Sequence, residues 1–130
     1  MKFTSEQIHE AQTESGNIFP VLIRQLKLLG VVNFITFVTD GHTDYFDDEK
    51  ESITSEATHD LLISENTNAE KFLERLKLHQ NGGTSFQTFC QDCAENGIDC
   101  WIVDLQKMTC TYYDKSGKEI LVEKIPTVPL

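Results

Sequence analysis

Gly83-Thr84-Ser85-Phe86, running on through Asn96-Gly97-Ile98 to Tyr112-Tyr113-Asp114, restates a stretch that the chain has already used once. A shift of 67 residues sets Gly83 on Gly16, Phe86 on Phe19, Gly97 on Gly30 and Ile102 on Ile35. It also sets Tyr112 on Tyr45, Asp114 on Asp47, Ile120 on Ile53 and Glu123 on Glu56, eight identities without a gap over residues 16–56 and 83–123. The replacements keep their chemistry: Val31 with Ile98, Phe34 with Trp101, Val38 with Leu105, Phe46 with Tyr113. Glycines, aromatics and aliphatics held in one register indicate a structural unit used twice.

Local signals fill in that unit. Thr4 with Gln7 three residues later forms a capping box for a first helix carrying Ile8 and Ala11. Asn17 is the expected cap of a second helix, with Pro20 in its first turn and Gly30 as its left-handed terminator. Phe19, Leu22, Ile23, Leu26 and Leu29 recur at helical spacing along it. Val31 to Val38 reads as a strand, and Asp40-Gly41 as a two-residue hairpin turn leading to His42–Phe46. The acidic residues 47–50 form a solvated turn, and Glu51 to Glu56 a third strand.

Residues 57–67 join the copies, after which Thr67 with Glu70 opens a helix bearing Phe72, Leu73 and Leu76 and stopped at Gly82-Gly83. Thr84 with Gln87 caps the next, whose apolar face is Phe86, Phe89, Cys90 and Cys93. Ile98–Leu105 and Met108–Tyr113 are hairpin strands, Asp114–Lys118 is a type I turn with glycine at the bulge position, and Glu119–Ile125 closes the sheet. Pro126 and Pro129 end regular structure. Neither half buries its strands alone, so the expectation is one α+β domain over residues 1–130. It consists of two helix–helix–β-meander units, about 4–56 and 67–125, in one antiparallel sheet with helices on one face.

These residues also carry a likeness. Phe19-Pro20, Leu29-Gly30-Val31 and Asp44-Tyr45-Phe46 are followed by His79-Gln80-Asn81-Gly82, Phe86, Phe89-Cys90, Gly97-Ile98 and Tyr112-Tyr113-Asp114. The pattern resembles the YbcV-like proteins, a bacterial and prophage family classed as domain of unknown function 1398, over roughly Ile8 to Pro126. Some members carry the label "phage envelope protein". The motifs are packing and turn residues, so the resemblance implies architecture and brings no catalytic residues with it.

Charge and composition restrict the function. At 130 residues, 39% hydrophobic and 25% charged, the chain is of a size to bury a core. The N-terminus lacks the apolar run of a signal peptide, so a cytoplasmic location with reduced cysteines is expected. The net charge of −10 is concentrated: residues 40–70 hold ten acids against Lys50, leaving −1 for the remainder. Such a field repels phosphate backbones and anionic lipid, and favours a basic protein partner over nucleic acid or membrane.

The candidate sites each compete with a packing role. Cys90 and Cys93 form a Cys-x-x-Cys, and with Cys100 and Cys110 suggest a four-thiolate zinc site. They occupy the register of Ile23 and Leu26, however, so buried thiols in a helix core are expected, with neither metal nor cofactor. His79 follows Leu76 on an apolar helix side and reads as a buried, hydrogen-bonded histidine. Asp40-Gly41-His42-Thr43-Asp44 fails the calcium-loop pattern, with histidine third and glycine second.

Two surfaces are candidates for binding. The first is the acidic hairpin, Asp40, Asp44, Asp47, Asp48 and Glu49. Neutralising its last three members is expected to slow association without changing the folding midpoint. The second is an aromatic row including Tyr45, Trp101 and Tyr112, of which alternation sends one side of the sheet outward. The leading function is a non-catalytic binding protein for a basic partner or a small ligand. The alternatives are a small enzyme using Asp104, His79 or Tyr112 in a cleft between the repeats, and an acidic nucleic-acid mimic.

Overall fold

A computed structural model describes residues 2–16 and 18–126. The chain runs α1 (Ser5–Glu14), α2 (Phe19–Leu29), β1 (Asn33–Phe37), β2 (Thr43–Phe46) and β3 (Ser52–Thr54). It continues with α3 (Ala69–Gln80), α4 (Phe86–Glu95), β4 (Ile98–Asp104), β5 (Thr109–Asp114) and β6 (Glu119–Lys124). The six strands form one antiparallel sheet in the order β3-β2-β1-β4-β5-β6. Among the described residues the fold is α+β, four helices with one sheet.

The helix ends follow from side chains that reach orphan amides. Thr4 Oγ1 accepts from the Gln7 amide at 3.2 Å, and the Thr4 amide donates to Gln7 Oε1 at 2.9 Å, closing the expected box at α1. The α3 and α4 caps lie one residue later than the sequence suggests. Asn68 accepts from Lys71 N at 3.0 Å and Ser85 from Thr88 N at 3.1 Å. Thr84 is diverted, its hydroxyl lying 2.9 Å from His79 Nδ1. Asn17 lies outside the described residues; the N-cap of α2 is Ile18, which makes no side-chain cap bond. Pro129 also lies outside them. Gly30 caps α2 at φ +102°, and Gly97 follows α4 at φ +81°.

The first hairpin corrects another expectation. A two-residue Asp40-Gly41 turn needs positive φ at both positions, and only Gly41 has it, at +79°. The strands close instead around residues 38–41: Phe37 N donates to His42 O at 2.9 Å and Gly41 N to Phe37 O at 2.8 Å. Asp40 turns its carboxylate onto the His42 amide at 3.0 Å, a side-chain turn that the dipeptide signal does not distinguish from a hairpin. A Cβ on Gly41 would stand 2.6 Å from Thr58 Oγ1, so the close approach also requires glycine. At the second hairpin Met108 takes φ +56°, which delays β5 to Thr109.

The segment between β3 and α3 is tied down at both ends. Leu61 N donates to Thr39 O at 2.7 Å, His59 Nε2 bonds Val38 O at 2.8 Å, and Ser64 N donates to Ala94 O at 2.8 Å. Ile63 is buried within it. One face of the sheet takes all the helix contacts. Gln12 Nε2 donates to Tyr45 Oη at 3.1 Å; Phe72 meets Tyr112 at 5.0 Å and Phe89 meets Trp101 at 5.4 Å between ring centroids. Phe34, Val103 and Cys110 complete that face, and burial of a side chain such as Phe34 or Val103 contributes about 1.5–3 kcal/mol. Among the described residues the opposite face carries no helix. No helix among the described residues is long and apolar enough to cross a membrane.

Candidate binding surface

The acids singled out from the sequence lie around the β1–β2 and β2–β3 connections, and most are engaged locally. Asp47 is 1% exposed. Its Oδ1 accepts from the Glu49 amide at 2.9 Å and the Glu51 amide at 3.0 Å, while its own amide donates to Glu51 O. Asp47 therefore holds the turn from within, which corrects its placement on a docking surface and argues against its neutralisation leaving folding untouched. Partial burial pushes the Asp40 carboxyl upward, but bonds from the His42 amide and ring (Nδ1 at 2.6 Å) outweigh this and hold it below its usual range. Asp44 Oδ1 accepts from Thr54 Oγ1 at 2.6 Å. Asp48 pairs with Lys2 at 2.6 Å, and that hydrogen bond lowers the Asp48 carboxyl. Asp48 and Glu49 remain exposed.

Tyr45, Trp101 and Tyr112 are 5%, 7% and 6% exposed, all on the helix-covered face. Burial pushes both tyrosine hydroxyls upward, so they stay protonated near neutrality. These three rings are core, and the aromatic row that reaches solvent is the other one. Phe37, Phe46 and Tyr113 alternate onto the helix-free face and are half-exposed. Phe37 stacks on His42 at 4.5 Å. Alternation predicts opposite faces for Tyr45 and Phe46, but both faces of β1 carry apolar residues. Which one the helices cover is not written in the strands. The usable signal lies in α1, where Gln12 extends toward Tyr45 from a helix whose buried side is only Ile8 and Ala11.

The residues considered for catalysis do not converge. Asp104 lies on the helix-free face, its Oδ1 accepting from the Gln106 and Lys107 amides at 2.9 and 3.0 Å, whereas Tyr112 lies on the covered face. His79 is half-buried, stacked on Phe89 at 4.3 Å, with Nδ1 3.0 Å from Thr84 O. Burial lowers its pKa despite the Thr84 bond. Cys90 and Cys93 are buried in α4. Burial pushes the Cys90 and Cys110 thiols up to about 12 and Cys100 to about 11, and raises Cys93 as well, which suppresses thiolate chemistry. Among the described residues, no three His, Cys, Asp or Glu side chains are grouped to hold a metal ion.

Two surface hollows are small, and both mix polar with apolar lining. One of about 330 Å³ is lined by Glu65, Thr67, Asp114, Lys115 and Ser116. The other, of about 210 Å³, lies beside Lys2, Gly30, Val31, Asp48 and Gln106. Each is bordered by an ion pair, Glu65–Lys115 in one and Lys2–Asp48 in the other, both at 2.6 Å. The second also touches Lys27, Val32 and Leu105, so it sets charged groups beside apolar ones, but its acid is already paired with Lys2 and its volume falls below that of the usual small-molecule site.

No curated protein matches the sequence. A family profile matches over residues 6–124, nearly the whole chain, and the chain belongs to that family, described as protein of unknown function (DUF1398).

Proposed function

We propose that this protein is a cytoplasmic, non-catalytic binding protein whose partner is a basic protein. The observation that carries the reading is the concentration of negative charge: ten acids against one base in residues 40–70, out of a net −10 for the chain. A negative balance of this size attracts a cation-rich partner and speeds encounter with it. The enzyme reading loses support because Asp104 and Tyr112 stand on opposite faces and His79 is engaged by Thr84. Asp47, buried, and Asp40, turned onto His42, are withdrawn from any charged surface, which weakens the nucleic-acid-mimic reading and leaves the basic-partner reading to the exposed acids such as Asp48 and Glu49.

We also read the chain as one domain of two like units, about 4–56 and 67–125. Left-handed residues support this, since six of the eight among the described residues fall in pairs 67 apart: Gly30 with Gly97, Gly41 with Met108, Lys50 with Gly117, while Gly16 and Gly82 stand outside the register. The pairings Phe34↔Tyr45 and Trp101↔Tyr112 share that offset, and Ile35↔Ile102, between β1 and β4, joins equivalent positions at the sheet centre.

Affinity capture at low ionic strength, with elution by salt, tests the binding reading. The retained proteins are expected to be basic and to elute early in the gradient, and Asp48→Asn with Glu49→Gln is expected to weaken retention. Retention of partners that are not basic, or that salt does not release, would overturn it.

A further inference from the structure

The helix-free face of the sheet has a defined layout. Register places Ile35, Ile102, Thr111 and Val122 in one row across β1, β4, β5 and β6. The next row holds Phe37, Cys100 and Tyr113. The central members are half-exposed, and Val122, at the edge strand, is 48% exposed. Acids border these rows on three sides: Asp44 beyond Ile35 on β2, Asp104 beside Ile102 on β4, and Glu119 beyond Tyr113 on β6. Among the strand residues of this face the single base is Lys124.

We propose that this face is the docking surface, and that its occupant is an amphipathic segment of a partner protein with an apolar stripe flanked by lysine or arginine. The inference rests on the basic-partner reading above and adds the location and the form of the contact. Two features select this occupant. An apolar centre gains from burial but needs apolar atoms opposite it, which a purely cationic tail lacks. The acidic border then sets the sign of the flanking charges. A second copy of the chain is disfavoured by the same border, since facing it with its like opposes Asp44, Asp104 and Glu119 with acids on a molecule already at −10. The buried aromatics Tyr45, Trp101 and Tyr112 act indirectly, by fixing the strands from the other side.

The experiment uses two synthetic helical peptides as probes, one alternating leucine with lysine at helical spacing and its leucine–glutamate counterpart. Each is titrated into isotopically labelled full-length protein while backbone amide shifts are followed. The leucine–lysine peptide is expected to shift the amides of Ile35, Ile102 and Val122, with affinity falling at least about tenfold between low and high salt. The leucine–glutamate peptide is expected to leave them in place. Val122→Lys, a substitution at an exposed position, is expected to weaken the leucine–lysine peptide several-fold, and Val122→Glu to preserve or strengthen it; an unchanged amide spectrum elsewhere confirms that both variants fold. Shifts confined to residues 47–51 would overturn the sheet face while leaving the basic-partner reading standing. Equal binding of both peptides would overturn the charge selection. Failure of both peptides to bind, or concentration-dependent dimers that Val122→Lys dissolves, would overturn the proposal.

Discussion

Two turns of this molecule have nearly the same backbone and opposite chemistry. At residues 47–51 Asp47 Oδ1 accepts from the second and fourth amides after it, at 2.9 and 3.0 Å. At residues 114–118 Asp114 Oδ1 does the same with Ser116 and Lys118, both at 2.9 Å. Each aspartate amide donates to the carbonyl four residues on, and each turn reaches the left-handed region at its fourth residue: Lys50 at φ +65°, Gly117 at φ +87°. The residues between are Asp48 and Glu49 in one turn, Lys115 and Ser116 in the other. The ion pairs they make with the segment before a helix are reversed, Asp48 with Lys2 and Lys115 with Glu65. An aspartate and one left-handed residue therefore suffice to set this turn, which frees the other positions to carry whatever charge function requires. The acidity of the first turn is a surface property laid over a shared frame.

The largest effect expected from this comparison is at Asp47. Asp47→Ala leaves two turn amides without their acceptor in a buried position and should lower stability by about 2–3 kcal/mol in urea unfolding. Asp114→Ala, at a half-exposed site, should cost clearly less. Equal losses would mean that burial does not distinguish the two turns.

Backbone strain gives the next effect. Lys50→Gly should raise stability by about 0.5–1 kcal/mol, because glycine enters the left-handed region without a Cβ clash. The reciprocal Gly117→Lys should lower it by a similar amount. If both substitutions prove neutral, the two backbones are less alike than their hydrogen bonds indicate.

A smaller effect concerns acid. The Ser116 hydroxyl, joined by the Lys118 and Ser116 amides, holds the Asp114 carboxyl below its ordinary value of 3.8. A depressed folded value means stability that is present above pH 3.8 and lost as pH falls through the folded value. Replacing Asp114 by Asn should therefore flatten the acid limb of the stability profile in that window. An unchanged limb would show that the hydroxyl contact does not persist in solution. The smallest effect is at the ion pairs, both largely exposed: Glu65→Gln and Asp48→Asn should leave the unfolding midpoint within error.

Much of the fold was legible because packing and turn residues carry local rules. The capping box at Thr4, the glycine stops at Gly30 and Gly97, and the aspartate-led turn at Asp114 all need only neighbours in sequence. Of the misplaced caps at Thr67 and Thr84, the second loses to a competing local bond, since Thr84 pairs with His79 five residues before it. At Asp40 the dipeptide rule competes with a side-chain bond to His42 that closes a wider loop. The candidate site was less legible. Asp47 looks solvated in an acidic run, and only the folded turn reveals that it is enclosed. A helix-free face was foreseen, but which side it would be was not legible, because Ile35 and Phe37 alternate with Phe34 and Thr36 and leave neither side of β1 clearly polar.

The most direct test of the account is the association rate of a captured partner, measured by rapid mixing from about 0.02 to about 0.5 M salt. A basic partner steered by the exposed acids should associate at least about tenfold more slowly at the high end, with a dissociation rate that changes far less. Asp48→Asn with Glu49→Gln should lower the low-salt rate toward the high-salt value. An association rate indifferent to both salt and that double substitution would contradict the account.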